Sequence, residues 1–227
     1  GEGASAAALK RFVRWNVLTG QMWGPLLTDA RTNDHHSPFQ EQELPAGALY
    51  LADLGFFGVA NLLKLARGRG GKRSFVSRLQ ARTHLYTRSG HLLDLSGLLP
   101  QQVGEVRDLG VVLGQRAGLP IRLILVKVPQ EVVDQRRARL WRTAAKHGRV
   151  PSTESLYVAQ WTMVITNLSR KQADFREVLV LLRLRWQIER LVRLWKEGGM
   201  VDEWRSHKPD RILAELSGKL CTMILQQ

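Results

Sequence analysis

Cysteine is almost absent from this sequence of 227 residues, which contains only Cys221. One cysteine excludes an intramolecular disulfide and a zinc site of the zinc-finger type. No apolar run reaches the length of a transmembrane helix, and the first residues lack the architecture of a signal peptide. These absences predict a protein of the reducing cytoplasm that has no membrane partner.

Acidic side chains are also scarce, since 20 Asp and Glu stand against 34 Lys and Arg, for a formal net charge of +14. Such an excess favours a polyanionic partner, with nucleic acid ahead of an anionic membrane surface. A GC-rich genome also enriches arginine, so the charge favours DNA without establishing it. The hydrophobic content of 44% is that of an ordinary globular protein with a buried core.

Glycine and proline are missing from residues 182–197, where the sequence LRLRWQIERLVRLWKE predicts a helix. At about 100° per residue, six apolar side chains share one stripe of this helix: Leu181, Leu184, Ile188, Leu191, Val192 and Trp195. Arg185, Glu189 and Lys196 lie within about 40° of one another along one border of the stripe. A surface salt bridge explains the i, i+4 pair of Arg185 and Glu189. Alternatively, the packed helix presents the carboxylate to a substrate.

A second carboxylate, Asp53, ends the continuous apolar run of residues 48–52. A continuous run predicts a central strand covered on both faces, and sites of open α/β sheets lie at the ends of such strands. Carboxylates are ligands that Mg²⁺ and Mn²⁺ prefer, and two such ions together support in-line attack on a phosphodiester. Asp53 and Glu189 are therefore the candidate catalytic residues and metal ligands.

Hydrophobic periodicity and turn signals place the other elements. The sequence predicts an antiparallel hairpin of residues 9–17 and 21–28. It then predicts a helix over residues 59–66 and a strand over residues 74–79. Short β-like runs separated by Gly and Pro then indicate a largely β insertion, at residues 84–87, 91–95, 110–113 and 121–128. A strand and two helical stretches complete the pattern, at residues 161–166, from about 172 to 197, and 210–225.

A helix predicted over residues 129–147 carries almost unopposed basic charge around Trp141. Its candidate DNA contacts are four arginines, Arg136, Arg137, Arg139 and Arg142. A phosphate-contacting surface and a solvated helix face are equally good explanations of this run.

Three motifs resemble those of DDE transposases of the insertion-sequence type 4 family. Within RWQIERLVRLWK, the residues Arg185, Glu189 and Lys196 have the spacing Arg-x3-Glu-x6-Lys of the family's C-terminal motif. ADLGFF at residues 52–57 is similar to the second-aspartate motif. ITNL at residues 165–168 is similar to the Thr-Asn strand that precedes the glutamate helix. The resemblance in order and separation covers roughly residues 8–225.

The resemblance implies a ribonuclease-H-like α/β fold, with a mixed sheet, flanking helices and a β-rich insertion between the second aspartate and the glutamate. Residues 1–79 would be the N-terminal part of the catalytic core, 80–160 the insertion with the basic helix, and 161–227 the C-terminal part with the Glu helix. The resemblance also implies DNA transposition by metal-dependent hydrolysis and strand transfer at insertion-sequence ends. Two Mg²⁺ or Mn²⁺ ions and a homodimer on double-stranded DNA are part of that expectation.

By position, the resemblance makes Asp53 the second metal-binding aspartate and Glu189 the metal-binding glutamate. Arg185 and Lys196 would contact phosphates of the transposon ends. Arg193, on the same predicted helix, joins them as a candidate DNA contact.

Two departures from the family pattern affect the expected activity. Leu182 occupies the position of the motif's tyrosine and cannot donate its hydrogen bond. The family's first aspartate lies on a strand before the one matched by residues 9–17, and the eight residues before Leu9 contain no Asp. We therefore expect this chain, by itself, to bind DNA but to cut it poorly or not at all. The alternatives are a catalytically dead DNA-binding remnant and a ribonuclease-H-like nuclease unrelated to transposition.

Overall fold

The computed structural model describes residues 9–225 with these exceptions: Ala30, Glu41, Asp53, residues 69–70, residues 116–117, Asp202, Trp204 and residues 206–207. The chain divides into two compact units. Residues Gln42–Leu182 form one unit, and residues Gly1–Glu41 with Arg183–Gln227 form the other.

The described residues form eight strands and six α-helices. In chain order the strands are β1 (Leu9–Trp15), β2 (Met22–Asp29), β3 (Leu49–Ala52), β4 (Ser74–Arg78), β5 (Leu85–Tyr86), β6 (Val106–Leu113), β7 (Leu119–Lys127) and β8 (Trp161–Thr166). The helices are α1 (Val59–Arg67), α2 (Gln130–Ala145), α3 (Thr153–Val158), α4 (Phe175–Leu184), α5 (Trp186–Gly199) and α6 (Pro209–Leu225).

The larger unit is built on a six-stranded sheet with the order β3-β4-β8-β7-β6-β5. β3 and β4 are parallel, and the other neighbouring strands are antiparallel. Parallel neighbours need a crossover, and α1 supplies it between β3 and β4. β6 and β7 need only a tight turn, which closes with a 2.9 Å hydrogen bond from Gly118 N to Gly114 O.

Both faces of this sheet are buried, so successive residues of its inner strands belong to different cores. Leu123 and Leu125 of β7 join a cluster with Phe75, Ile165 and Leu62 of α1. The alternate residues of the strands point to the other face of the sheet and pack against α4 and the loop before it. This second cluster consists of Val76, Ile124, Val164, Leu168, Ala173, Val178 and Leu182. Because side chains alternate across a strand, two covered faces require the continuous apolar runs seen in β7 and β8.

The smaller unit contains the hairpin β1-β2 and the helices α5 and α6. The hairpin is antiparallel, with Leu9 opposite Asp29 and Trp15 opposite Met22. Phe12 of β1, Val201 after α5 and Ile212 and Leu216 of α6 are buried. A 2.8 Å hydrogen bond from the side chain of Arg11 to Val201 O joins the hairpin to the segment after α5. Within the described residues, none of the helices combines the length and apolar character needed to cross a bilayer.

Most predicted elements are confirmed, with three exceptions. β3 is covered on both faces but lies at the end of the described sheet, so its prediction as a central strand is wrong. Residues 91–95 do not form a strand, because only one bridge joins Leu92 to Tyr86. The short helix α3 follows the basic helix α2 at a place where no helix was predicted.

The division into residues 1–79, 80–160 and 161–227 stays a prediction. β6 and β7, from the predicted insertion, extend the same sheet that contains β4 and β8. The two compact units group residues that are close in space, whereas the three predicted segments group residues by the order of the motifs along the chain.

Candidate active site and nucleic-acid interface

The candidate glutamate lies in the first turn of α5, directly after a break in a longer helical stretch. A capping box begins α4, since Asp174 and Glu177 each accept a hydrogen bond from the other's backbone N–H, at 2.8 and 2.7 Å. α4 ends at Leu184 and α5 begins at Trp186, so Arg185 is the single residue between the two helices. The helical stretch predicted from about residue 172 to 197 is therefore confirmed, with a break at Arg185.

Arg185 and Glu189 form the ion pair that their spacing predicted. Arg185 Nη1 donates to Glu189 Oε1. The Arg185 side chain is only 7% exposed, whereas that of Glu189 is 42% exposed. The guanidinium also lies over the Trp186 ring, 5.1 Å from its centroid. A buried cation thus holds one oxygen of a carboxylate at the protein surface.

The other candidate DNA contacts on α5 are exposed. Arg193 and Lys196 follow Glu189 by four and seven residues, which places them about 6 and 10 Å further along the helix axis. The apolar stripe of α5 is half-buried at Ile188, Leu191, Val192 and Trp195, and α5 contacts α6. The stripe fixes which side of α5 packs and leaves the basic side accessible.

Asp53, the other candidate metal ligand, lies outside the described residues. β3 ends at Ala52, the residue before it. Its pairing with Glu189 at a metal site stays a prediction. Among the described residues, no group of three or more His, Cys, Asp or Glu side chains is arranged to hold a metal ion.

The Thr-Asn pair at the end of β8 has a clear structural role. Asn167 accepts a hydrogen bond from Phe75 N through Oδ1 and donates one to Arg73 O through Nδ2, both at 2.8 Å. The buried Thr166 hydroxyl donates to Phe75 O at 2.6 Å and accepts from Leu168 N at 3.1 Å. The two side chains therefore fasten β8 to the beginning of β4.

The four candidate arginines of α2 divide between two sides of the helix. Arg136 donates to Ala159 O and Trp161 O and to the Thr162 hydroxyl, at 3.2, 2.9 and 2.8 Å. Arg137 donates to Leu156 O at 3.1 Å. Arg139 and Arg142 are exposed. Burial lowers the pKa of the Arg136 guanidinium, and the nearby charge of Arg78 lowers it further.

A charged network that sequence reasoning missed joins β6, β7 and the loop before α4. The Arg122 guanidinium makes a bidentate pair with Asp108, at 3.2 and 2.6 Å, and donates to Leu168 O and Ala173 O. Arg170 donates to the same carboxylate from the loop. Partial burial raises the pKa of Asp108, but the hydrogen bonds and charges of the two arginines outweigh burial and lower it overall. No sequence pattern marks these three residues, because their contact depends on strand register.

Comparison with known proteins places these features in one family. The family model described as "Transposase DDE domain" matches residues 1–225. The chain belongs to the transposase DDE domain family. Its mixed six-stranded sheet and flanking helices are consistent with the ribonuclease-H-like fold expected of a DDE transposase.

Similar proteins include transposases of three bacterial insertion sequences. The transposase of IS231C from Bacillus thuringiensis subsp. berliner is 24% identical over 243 residues, and that of IS1151 from Clostridium perfringens is 25% identical over 241 residues. Each alignment covers 98% of this chain and 50% of the relative. The putative transposase InsL of IS186A from Escherichia coli (strain K12) is 26% identical over 231 residues, covering 98% of this chain and 61% of the relative.

This DDE transposase domain therefore spans between half and about three-fifths of the length of the curated relatives that it matches. DDE transposase domains generally use divalent metal ions. The roles of individual residues are matters of proposal.

Proposed function

We propose that this chain contributes the catalytic region of an insertion-sequence transposase. The reaction is hydrolysis of a phosphodiester at each element end, followed by attack of the freed 3′-hydroxyl on target DNA. The observation that carries the proposal is the surface carboxylate of Glu189, held by Arg185 in the family's spacing and followed by the exposed Lys196. The similarity to insertion-sequence transposases supports the same conclusion.

Asp53 and Glu189 are the proposed catalytic residues and metal ligands. The chemistry of the donors fits, because Glu189 offers a carboxylate that is 42% exposed, and carboxylate oxygens suit Mg²⁺ or Mn²⁺. Two such ions would activate the attacking hydroxyl and stabilise the leaving oxygen. Arg185 holds one oxygen of the Glu189 carboxylate in place, and the carboxylate would hold a metal ion through its other oxygen. Helix α5 supplies the rigid element that such positioning needs.

The basic residues of α5 and α2 are the proposed DNA contacts. Arg193 and Lys196 are exposed and can reach a phosphate directly. Arg185 would act on the end phosphate nearest Glu189, since its buried charge adds to the local positive potential. Of the four α2 arginines predicted as DNA contacts, we propose the exposed Arg139 and Arg142, because Arg136 and Arg137 donate to backbone carbonyls of the fold.

The proposed setting is the bacterial cytoplasm, on double-stranded DNA of the nucleoid. Two element ends must be joined in one reaction, so we propose that the protein acts as a homodimer on DNA. The relatives are transposases of bacterial insertion sequences, which supports a bacterial setting.

The test is an assay of the full-length gene product on DNA that carries its own insertion-sequence end, with Mg²⁺ or Mn²⁺. The proposal predicts a nick at the element end and covalent joining of that 3′ end to a second duplex. Cleavage without joining would identify a ribonuclease-H-like nuclease. End binding without cleavage would identify a DNA-binding remnant, and either result would reject the proposal. The prediction that the 227-residue chain alone does not cut is checked in the same assay.

A further inference from the structure

Helix α2 has an outer basic stripe made of Arg139, Arg142 and Lys146. Their spacing of i, i+3 and i+7 brings the three residues within about 60° of one another around the helix axis. All three are exposed. The stripe extends about 10 Å along the helix, at 1.5 Å per residue.

Arg137 lies on the far side of the same helix, about 160° from Arg139, and Arg136 lies about 60° from Arg139 toward the buried Val133. Their guanidinium groups donate to the backbone carbonyls of Leu156, Ala159 and Trp161. Those contacts fasten α2 to the segment that contains α3 and the start of β8. The two inner arginines therefore serve the fold, and an equal role in DNA binding for all four arginines does not fit the contacts.

Little negative charge opposes the outer stripe. Residues 135–153 contain no Asp or Glu. Asp134 accepts a 2.8 Å hydrogen bond from the Gln130 side chain, one turn before the stripe. Glu154, the first acid after it, is paired with Arg82 at 3.0 Å. Arg149, exposed just beyond the helix, adds a further cation.

A solvated helix end explains only part of this arrangement. The helix dipole favours cations in the last turn, which accounts for Arg142 and Lys146. Arg139 lies before that turn, and the dipole does not explain why it shares their side. Three aligned cations with no acid beside them instead match a linear polyanion. Duplex DNA carries one negative charge per about 1.7 Å of its axis, so a 10 Å stripe can contact several phosphates.

We propose that the outer stripe of α2 binds the phosphate backbone of duplex DNA without reading its sequence. This inference rests on the proposed function, because it takes DNA as the partner. It goes further in separating the binding cations, Arg139, Arg142 and Lys146, from the structural ones, Arg136 and Arg137.

The test measures how the affinity of the 227-residue chain for a 30-base-pair duplex of arbitrary sequence depends on salt, in EDTA. Replacing Arg139, Arg142 and Lys146 with Gln should reduce the slope of log K against log salt by about 2.7, since each lost phosphate contact removes about 0.9. The thermal midpoint should not change, because the three side chains are exposed. Replacing Arg139 and Arg142 with Lys should preserve the slope.

Two controls make the test specific to the stripe. Replacing Lys64, Arg88 and Lys171 with Gln removes three exposed cations from other elements and should leave the slope nearly unchanged. Replacing Arg136 and Arg137 with Ala should lower the thermal midpoint and leave the slope of the remaining folded protein unchanged. An unaltered slope in the stripe variant, or an equal loss in the Lys64 control set, would overturn the inference. Because EDTA removes metal ions, the result does not depend on whether the protein cuts DNA.

Discussion

The Arg185–Glu189 pair fixes the position of the Glu189 carboxylate. The guanidinium is only 7% exposed and the carboxylate is 42% exposed, so this is not a pair of two surface charges. Loss of the Glu189 charge would leave a buried cation with one partner fewer, which costs more than the about 0.3–0.5 kcal/mol of an exposed i, i+4 pair. Glu189 gains a little more from its place in the first turn of α5, where the helix dipole favours an anion. Arg185 thereby limits the orientations that the carboxylate samples.

Asp108 contributes to stability in a way that depends on pH. Its folded-state pKa is lowered, because the hydrogen bonds and charges of Arg122 and Arg170 outweigh its partial burial. A carboxylate with a lowered pKa stabilises the fold above its unfolded pKa of about 3.9, and this contribution is lost as the pH falls through the folded value. Arg122 is 7% exposed, so removal of its partner leaves a buried charge poorly compensated.

We predict that Asp108→Asn lowers the free energy of unfolding by about 3 kcal/mol at pH 7. Urea unfolding of both proteins from pH 3 to pH 8 checks it. The difference between the two proteins should be constant above about pH 5 and should shrink below about pH 4. A difference that stays the same down to pH 3 would show that the Asp108 charge is not the cause. Glu131→Gln, at an exposed carboxylate of the same unit, is the control.

At the end of β8, Asn167 connects two strands that are far apart in the sequence. Its side chain satisfies Phe75 N in β4 and Arg73 O just before β4, and removing it leaves both backbone groups without this partner. An unsatisfied buried polar group costs about 1–3 kcal/mol. The strand edge that begins β4 therefore depends on this one amide.

Asn167→Ala should reduce the free energy of unfolding by about 2 kcal/mol. Amide hydrogen exchange should locate the change, with faster exchange at Phe75 N than at the amides of β6. Ser169→Ala, two residues further along, removes only a hydroxyl that contacts Gln172 and should change stability by less than about 0.5 kcal/mol. Equal effects of the two substitutions would mean that the amide does not fasten β8 to β4.

Local patterns predicted the helices and most strands, but not the position of each strand in the sheet. The apolar run of β3 correctly indicated two covered faces. The strand lies at the sheet end because neighbour order depends on crossovers, which a strand's own residues do not encode. Residues 91–95 were predicted as a β-like run, but they form only one bridge, between Leu92 and Tyr86. α3 has only six residues, too few to show helical periodicity.

For the candidate site, the sequence predicted the contact between Arg185 and Glu189, because i, i+4 neighbours on a helix are local. It did not distinguish the inner from the outer arginines of α2, since that requires knowing which side of the helix packs. It also missed the network around Asp108, whose members are joined only by register and loop position. Local spacing thus predicted local contacts, and the rest depended on tertiary packing.

The excess positive charge of the whole chain is divided between structural arginines and exposed cations. Some arginines serve the fold, as Arg122, Arg136 and Arg137 do through backbone carbonyls. The exposed cations of α5 and of the outer stripe of α2 are the proposed contacts for a polyanion. The net charge of +14 therefore includes structural arginines as well as the proposed DNA-binding cations. Family membership makes DNA the expected polyanion.

The most direct test of the account compares Glu189→Gln with Glu197→Gln in the full-length protein. Glu197 is an exposed carboxylate on the same helix, about two turns after Glu189. Comparing the two variants therefore distinguishes the effect of losing a proposed metal ligand from the effect of losing a surface charge. Strand cleavage at the insertion-sequence end is followed with Mg²⁺ or Mn²⁺, together with end binding and thermal stability. We predict that Glu189→Gln, like Asp53→Asn, abolishes cleavage while end binding changes little, and that Glu197→Gln cuts normally. Cleavage by Glu189→Gln at the normal rate would contradict the assignment of Glu189 as a metal ligand.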